Sequence, residues 1–525
     1  MNPDTHSLPD RLRRAFSPGA QAAFLSCIIT GFLVHLFAFT NIIPNSDGLS
    51  RVYDAQQMTI SGRWFLHYAS VFHGFLQAPA LIGILSLIFL GSAAGLSGDL
   101  VGLRRRSSGI LWGAIFAVFP PIAYNYLYMF TASAYAFGIF LAVLSVWILR
   151  RWRWGFLPAA LLLACSVGTY QAYLAIAASL GLICSIRDLL DQEPVDSCVK
   201  RGIRTILMIL VGMILYWGIL QVFLRVKDLT LLDYRGIGTA GTGFSVVAFL
   251  RSILSACKHA VCYFLQPYAV SYGTGVLTAA HWALVILTVL LLIPYFAKKG
   301  DGIGRKLLLL AGFALLPLAL NLTQILTEIS PNMRYGLVFT YLLPILLMDR
   351  AVLPSNSATV LRPVFSLIMA VLVLLSSQIC NTAYVSSATA HRATQAFATN
   401  LVARVEQTPG YHQDMQVVVI GSFPRNIYHS SIEVFDLVGH YSCMADTVLD
   451  LNKHVYYYLN DWLNVPWQEP EEQTMLAVSQ SDDFQAMPLY PNDGSVAILD
   501  GRVVVKLSDH YTPKKPYELQ YEQRR

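Results

Sequence analysis

The sequence predicts a polytopic α-helical membrane protein with about eleven transmembrane helices, followed by a small α/β domain. Three observations carry this reading. Hydrophobic residues make up 55% of the 525 and charged residues only 13%, where a soluble chain carries about a quarter. Mean hydropathy is +0.52. Apolar windows recur from residue 20 to residue 384 and then stop.

The elements follow in order. The chain is polar from Met1 to Pro18 and runs directly into an apolar stretch, with no small-residue cleavage site before Pro44. It reads as a signal anchor, long enough to span a hydrocarbon core of roughly 20 residues. Candidate spans are 20–43, 79–98, 108–122, 132–149, 155–169, 171–186, 203–224, 274–297, 307–322, 335–348 and 364–384. Pro120-Pro121, Pro158, Pro317 and Pro344 predict kinks or helix ends among them.

Charge placement sets the expected orientation. Alternate loops, starting with the N-terminus, hold 19 lysines and arginines, and the intervening loops hold 8. The richer set is expected to be cytoplasmic, which puts the N-terminus inside and the end of the eleventh span outside. Residues 244–265 would upset that count if they crossed. Arg251, Ser255, Lys258 and His259 fall on one helical face there, which predicts a helix lying in the membrane interface. The expected domains are therefore a membrane domain, 1–384, and an extracytoplasmic α/β domain, 385–525. In the latter, VVVIGSF at 417–423 predicts a buried strand, and SVAILDGRVVVKL at 495–507 predicts two strands joined by Asp500-Gly501.

The net charge of +6 is spread in short clusters beside apolar stretches, so no nucleic-acid partner is expected. Eight cysteines, mostly inside apolar segments, give neither a disulfide framework nor a metal spacing.

The first outer loop, residues 41–68, is the richest in chemistry: NIIPNSDGLSRVYDAQQMTISGRWFLHY. On a helix, Asp47, Arg51, Asp54 and Met58 would share one face, capped by Ser46 or Asn45. A solvated loop with a weak Asp–Arg bridge is the competing reading. A second outer loop, 323–335, supplies Glu328 and Arg334. A third supplies Arg225, Lys227, Asp233 and Arg235. Outer cations are scarce in membrane proteins, and an anionic ligand is one reason to keep them, because guanidinium binds phosphate bidentately. Arg251 and Lys258 are read as snorkelling to lipid headgroups. His35 is read as packed within the bundle. Tyr124, Tyr126, Tyr128 and Phe130, like Tyr170, Gln171 and Tyr173, are read as an interfacial belt that could also stack on sugar rings.

The acidic Asp47 just past the first span, Arg51, the Gly62-Arg63-Trp64 stretch before the second, and Arg334 make the chain resemble bacterial type-II glucosyltransferases that modify lipopolysaccharide O-antigen. These belong to the wider GT-C class, which shares an acidic catalytic residue in the first outer loop. The resemblance implies a GT-C-like fold in the bacterial inner membrane with a periplasmic C-terminal domain. It also implies a polyprenyl-phosphate sugar donor and a glycan acceptor. Many GT-C members carry two acidic residues together, whereas Ser46-Asp47 stands here. A lipid-phosphate leaving group needs no divalent cation, so neither a metal nor another cofactor is expected. What the reaction needs is a base, for which Asp47 fits, and cations for the departing phosphate. Arg51, Arg63, Arg235 and Arg334, with Asp54, Trp64 and Glu328, are the expected substrate-binding residues. Two other functions compete. An O-antigen polymerase or ligase would use one large central outer loop, for which 225–273 is long enough. A transporter or flippase would show ionisable residues deep in its spans.

Overall fold

The computed structural model describes residues 16–49, 53–231, 245–266, 274–297, 302–325, 331–351, 355–424, 448–449 and 451–513. Their contacts divide the chain into two compact units, Met1–Thr40 with Ala55–Asn381, and Asn41–Asp54 with Thr382–Arg525.

The first unit is helical. Its helices are α1 (Pro18–Thr40), α2 (Pro79–Val101), α3 (Arg106–Val118), α4 (Pro121–Leu127), α5 (Met129–Arg151), α6 (Phe156–Thr169) and α7 (Leu174–Leu190). They continue as α8 (Val195–Val226), α9 (Val246–Leu265), α10 (Thr274–Ala297), α11 (Ile303–Leu320), α12 (Leu342–Arg350) and α13 (Ser355–Glu406). Among the described residues nine helices are long and apolar enough to cross a membrane, and ten if α3 and α4, bent by 49° at Phe119-Pro120, count as one span. The eleven expected spans differ from this at three places, the first being 246–265, which is apolar enough to count among the nine though expected to lie in the interface. Residues 156–169 form a helix of only 14 residues. Residues 331–341 are a 3-10 helix that hands over to the nine-residue α12.

Small residues let the first helices approach closely. A Cβ on Gly113 of α3 would lie 2.2 Å from the Ala23 carbonyl oxygen of α1, and one on Gly109 would lie 2.0 Å from the Gly19 carbonyl oxygen. Such close approach is how helices gain dispersion contact where lipid supplies no hydrophobic drive. His35 of α1 is buried there and donates from Nε2 to the Ala117 carbonyl oxygen of α3 at 2.9 Å. Its place is structural, as expected. His281 of α10 is likewise buried, 2.7 Å from the Tyr341 hydroxyl.

One end of this unit is tied by charge. Buried Asp188 meets Arg150 at 2.6 Å and Arg201 at 3.2 Å, and it also pairs with Arg187. Arg350 grips Asp191 through two hydrogen bonds of 2.5 and 2.8 Å. Asp349 accepts from the Arg104 and Arg105 backbone N–H groups at 2.8 and 3.0 Å, just before α3 begins. Arg305 donates to the Leu189 and Glu193 carbonyls. The ends of α2, α5, α7 and α12 and the starts of α3, α8 and α11 therefore lie together.

This arrangement fixes the course of α9. Helix α8 starts at the Asp188 end, and α10 finishes there, where Lys306 donates to the Phe296 carbonyl. The end of α8 and the start of α10 therefore lie at the opposite end. Ala256 of α9 meets Asn321 just past α11, and the Leu265 carbonyl meets Trp282, two turns into α10. A full crossing by 20 residues would end about 30 Å away, so α9 is apolar enough to span but does not run to the far end.

The second unit holds the C-terminal half of α13 and a three-stranded sheet, β1 (Val417–Ile420), β2 (Val496–Leu499) and β3 (Arg502–Lys506), in the order β1-β3-β2. Val417 pairs with Val503 in parallel, and Val496 pairs with Val505 antiparallel. The β2–β3 hairpin turns at Asp500 and Gly501, whose φ values of 48° and 73° match a type I′ turn. Helices α14 (Asn452–Leu463), α15 (Glu472–Gln480) and α16 (Asp482–Ala486) accompany it. Tyr456 of α14 accepts from the Val419 N–H at 2.8 Å and donates to the Val417 carbonyl at 3.2 Å, sewing helix to strand. Phe397, Leu401 and Val405 of α13 complete this core with Leu459, Met475 and Phe484.

Candidate functional site

The stretch between α1 and α2 is divided between the two units, and it is not the helix expected of it. Among its described residues, 46–48 form a single 3-10 turn, 54–57 have no regular structure, and 59–61 form a second 3-10 turn. Gln56 has φ 56° and Gly62 has φ 79°, left-handed values that interrupt any helix. Asp47, Asp54 and Met58 therefore do not share a helical face, which corrects that expectation. Arg51 lies outside the described residues, as do Arg235 and Glu328.

Asp47 and Asp54 belong to the second unit. Asn45 caps the first turn, its Oδ1 accepting from the Gly48 N–H at 2.8 Å. Leu49 is fully buried in the core formed with the sheet and α14, and its carbonyl accepts from Trp462 Nε1 at 3.0 Å. Between these anchors the Asp47 side chain is exposed, and among the described residues it makes no hydrogen bond or ion pair. A carboxylate held on a fixed turn and open to solvent is a competent proton acceptor.

Arg63 and Trp64 belong to the first unit, and the backbone that carries them is pinned at every step. Met58 and Arg63 form an isolated antiparallel bridge around the second 3-10 turn. Gln171 Nε2 donates to the Ser61 carbonyl at 2.8 Å, and the Tyr216 hydroxyl donates to the Gly62 carbonyl at 3.1 Å. The Phe65 N–H donates to the Gly168 carbonyl at 2.9 Å. A side chain at position 62 would strike both Gln171 and Tyr216.

This pinning aims Arg63 into an aromatic group. Its Nη1 donates to the Tyr135 hydroxyl at 3.2 Å, and its Cζ lies 4.8 Å from the centre of the Tyr170 ring. Tyr135 and Tyr170 stack on one another at 4.7 Å, and Tyr173 meets Tyr170 edge-on at 5.5 Å. A cation over an aromatic face is stabilised by the ring quadrupole and keeps its charge available to a ligand. Trp64, expected to bind substrate, is buried, stacked on Phe223 at 5.7 Å and packed against Gly168. Arg334 is half-buried in the 331–341 helix and has no ion pair among the described residues.

The two histidines between α1 and α2 are held by hydrogen bonds and packing. His67 Nδ1 donates to the Ala55 carbonyl at 2.5 Å, and its ring stacks on Phe75 at 5.0 Å. His73 is buried against the Ser133 hydroxyl at 2.9 Å, and desolvation lowers its pKa to about 4, so the ring is neutral near pH 7. Tyr124, Tyr126 and Phe130, expected at an interfacial mouth, are buried instead. The Pro120-Pro121 bend folds α4 inward against the 331–341 helix. Among the described residues no group of three or more His, Cys, Asp or Glu side chains is placed to hold a metal ion.

Sequence reasoning missed Tyr135 and Tyr216. Each is a tyrosine inside an apolar span, and its partner lies far away in the sequence. It also missed Leu49, for which the sequence offers no sign.

Residues 36–348, more than half of the chain, match the glucosyl transferase GtrII family. The chain belongs to this family. It is thus a glycosyltransferase with membrane helices, as its first loop suggested. No curated protein and no solved structure matches it. The matched stretch of this GtrII-family chain contains Asp47, Asp54, Arg63, Trp64 and Arg334 and the aromatic residues around Arg63. It stops before α13 and the sheet.

Proposed function

We propose that this chain transfers a glucosyl group from a polyprenyl-phosphate-linked sugar to a glycan acceptor such as O-antigen, on the periplasmic face of the bacterial inner membrane. Membership of the GtrII family supports glycosyl transfer. The observation that carries the choice of base is the setting of Asp47, an exposed carboxylate on a turn anchored by Asn45 and Leu49.

In this reading Asp47 takes the proton of the acceptor hydroxyl as that oxygen attacks the anomeric carbon. The bond from that carbon to the phosphate oxygen breaks, and the lipid phosphate leaves with the electron pair. One displacement inverts the anomeric configuration, by the logic of a single base and no covalent intermediate. A positioned base contributes typically about 10²–10⁴-fold. Arg63 stabilises the charge that develops on the departing phosphate. Arg51, Arg235 and Arg334 are further cations for that phosphate, and Asp54 and Glu328 are acceptors for sugar hydroxyls. We read the helical unit as GT-C-like, with its N-terminus cytoplasmic and the residues after 384 as a periplasmic α/β domain.

Asp47→Asn tests the base, because it keeps the shape and removes the proton acceptor. Glycans from cells carrying this variant at wild-type abundance are expected to lack the added sugar. Normal glycosylation would overturn the role of Asp47.

A further inference from the structure

The loop joining α5 to α6, Arg150 to Gly155, is built unlike its neighbours. Arg150 turns inward onto buried Asp188 at 2.6 Å. Arg151, Trp152, Arg153 and Trp154 all face outward, with Trp152 at 55% and Trp154 at 83% exposed. The loop is nonetheless fixed. Arg204 Nη2 donates to the Trp152 and Arg153 carbonyls at 3.3 and 2.9 Å. Arg153 lies with its Cζ 5.3 Å from the centre of the Trp154 ring. Two indoles so exposed in water forfeit the burial that stabilises them, whereas the headgroup layer of a bilayer suits their amphipathic rings.

Charge at this end points the same way. Residues 99–106, 147–154, 187–204, 305–306 and 349–350 carry thirteen lysines and arginines against six carboxylates. The whole chain has a net charge of only +6, so this end accounts for all of it. The Asp188 and Asp191 pairs consume the inner arginines and leave Arg104, Arg106, Arg151 and Arg153 exposed.

We infer that this end of the helical unit docks on anionic phospholipid headgroups, with the Arg151–Trp154 loop as its centre. The two arginines meet headgroup phosphates, and the two indoles insert at the headgroup level between them. The site is independent of the glycosyl-transfer chemistry proposed above.

The full-length protein in nanodiscs of phosphatidylcholine containing phosphatidylglycerol tests this, with retained lipid read by native mass spectrometry. The wild type is expected to retain phosphatidylglycerol preferentially. Arg151→Gln with Arg153→Gln should weaken that preference about thirtyfold, given the attraction of each basic residue at an anionic surface. Arg151→Lys with Arg153→Lys should preserve it, which separates loss of charge from misfolding. Arg404→Gln with Arg502→Gln, in the second unit, should leave it unchanged. A wild type without the preference would overturn the inference, as would equal loss in the second-unit variant.

Discussion

Arg63 owes its setting to two tyrosines rather than to the loop that carries it. The Tyr135 hydroxyl fixes one nitrogen, and the Tyr170 ring fixes the plane of the guanidinium. A hydrogen bond to a charged group contributes about 1.5–3 kcal/mol, enough to hold one rotamer of a long side chain. Tyr135→Phe removes the hydroxyl and keeps the stack. If Arg63 acts on the departing phosphate, kcat for sugar transfer should fall about tenfold with KM little changed. A lowered melting temperature with normal kcat would instead make the contact purely structural. Asp47 shows the complementary case, a side chain left open because the backbone beside it is bound. Its exposure follows from Leu49 being buried on one side and Asn45 capping the turn on the other.

At the scale of elements, close packing of α1 on α3 depends on glycines. Gly113→Val would force a branched side chain to within 2.2 Å of the Ala23 carbonyl oxygen, and overpacking of this kind costs about 1–3 kcal/mol. The expected outcome is a clear drop in the melting temperature of the purified protein. Gly218→Val, on α8 where nothing lies within 4 Å, should melt close to the wild type. Helix α9 illustrates a different rule. Its composition would let it cross, yet Ala256 at its middle meets Asn321 just past α11. Ser255 and His259, two members of its polar stripe, meet Gln324 beyond α11. Polar side chains satisfied in this way tie the helix to the end of α11.

At the scale of the whole molecule, the basic residues sort to alternate ends of the helical unit, and the Asp188 network collects the denser set. Retention of positive charge on the cytoplasmic side then predicts that residues after α13 are periplasmic. A reporter active only in the periplasm, fused after Arg525, should be active, and one fused before Ser17 should be silent. The reverse pattern would overturn the proposed orientation and with it the periplasmic placement of Asp47.

Some of this was legible in the chain itself. Long apolar windows, arginine clusters and a polar face on residues 244–265 are local patterns, and a helix in lipid must satisfy its own backbone, so local patterns decide where helices form. The Asp500-Gly501 turn and the valine runs beside it were legible for the same reason. Short breaks were not. The 331–341 segment reads as apolar helix, yet it winds as a 3-10 helix because α4, bent at Pro120-Pro121, packs against it. The first loop was legible in its residue types but not in its shape, since left-handed Gln56 and the carbonyl bonds from Gln171 and Tyr216 come from distant helices. Sequence alone determined that the chain is a membrane protein of the glucosyl transferase type. Tertiary structure decided that Leu49 joins the sheet core, that Tyr135 and Tyr170 hold Arg63, and that the polar stripe of α9 pairs with Gln324 beyond α11. Each of these depends on residues far apart in the chain, and pairing across such distances leaves no periodic mark on either partner.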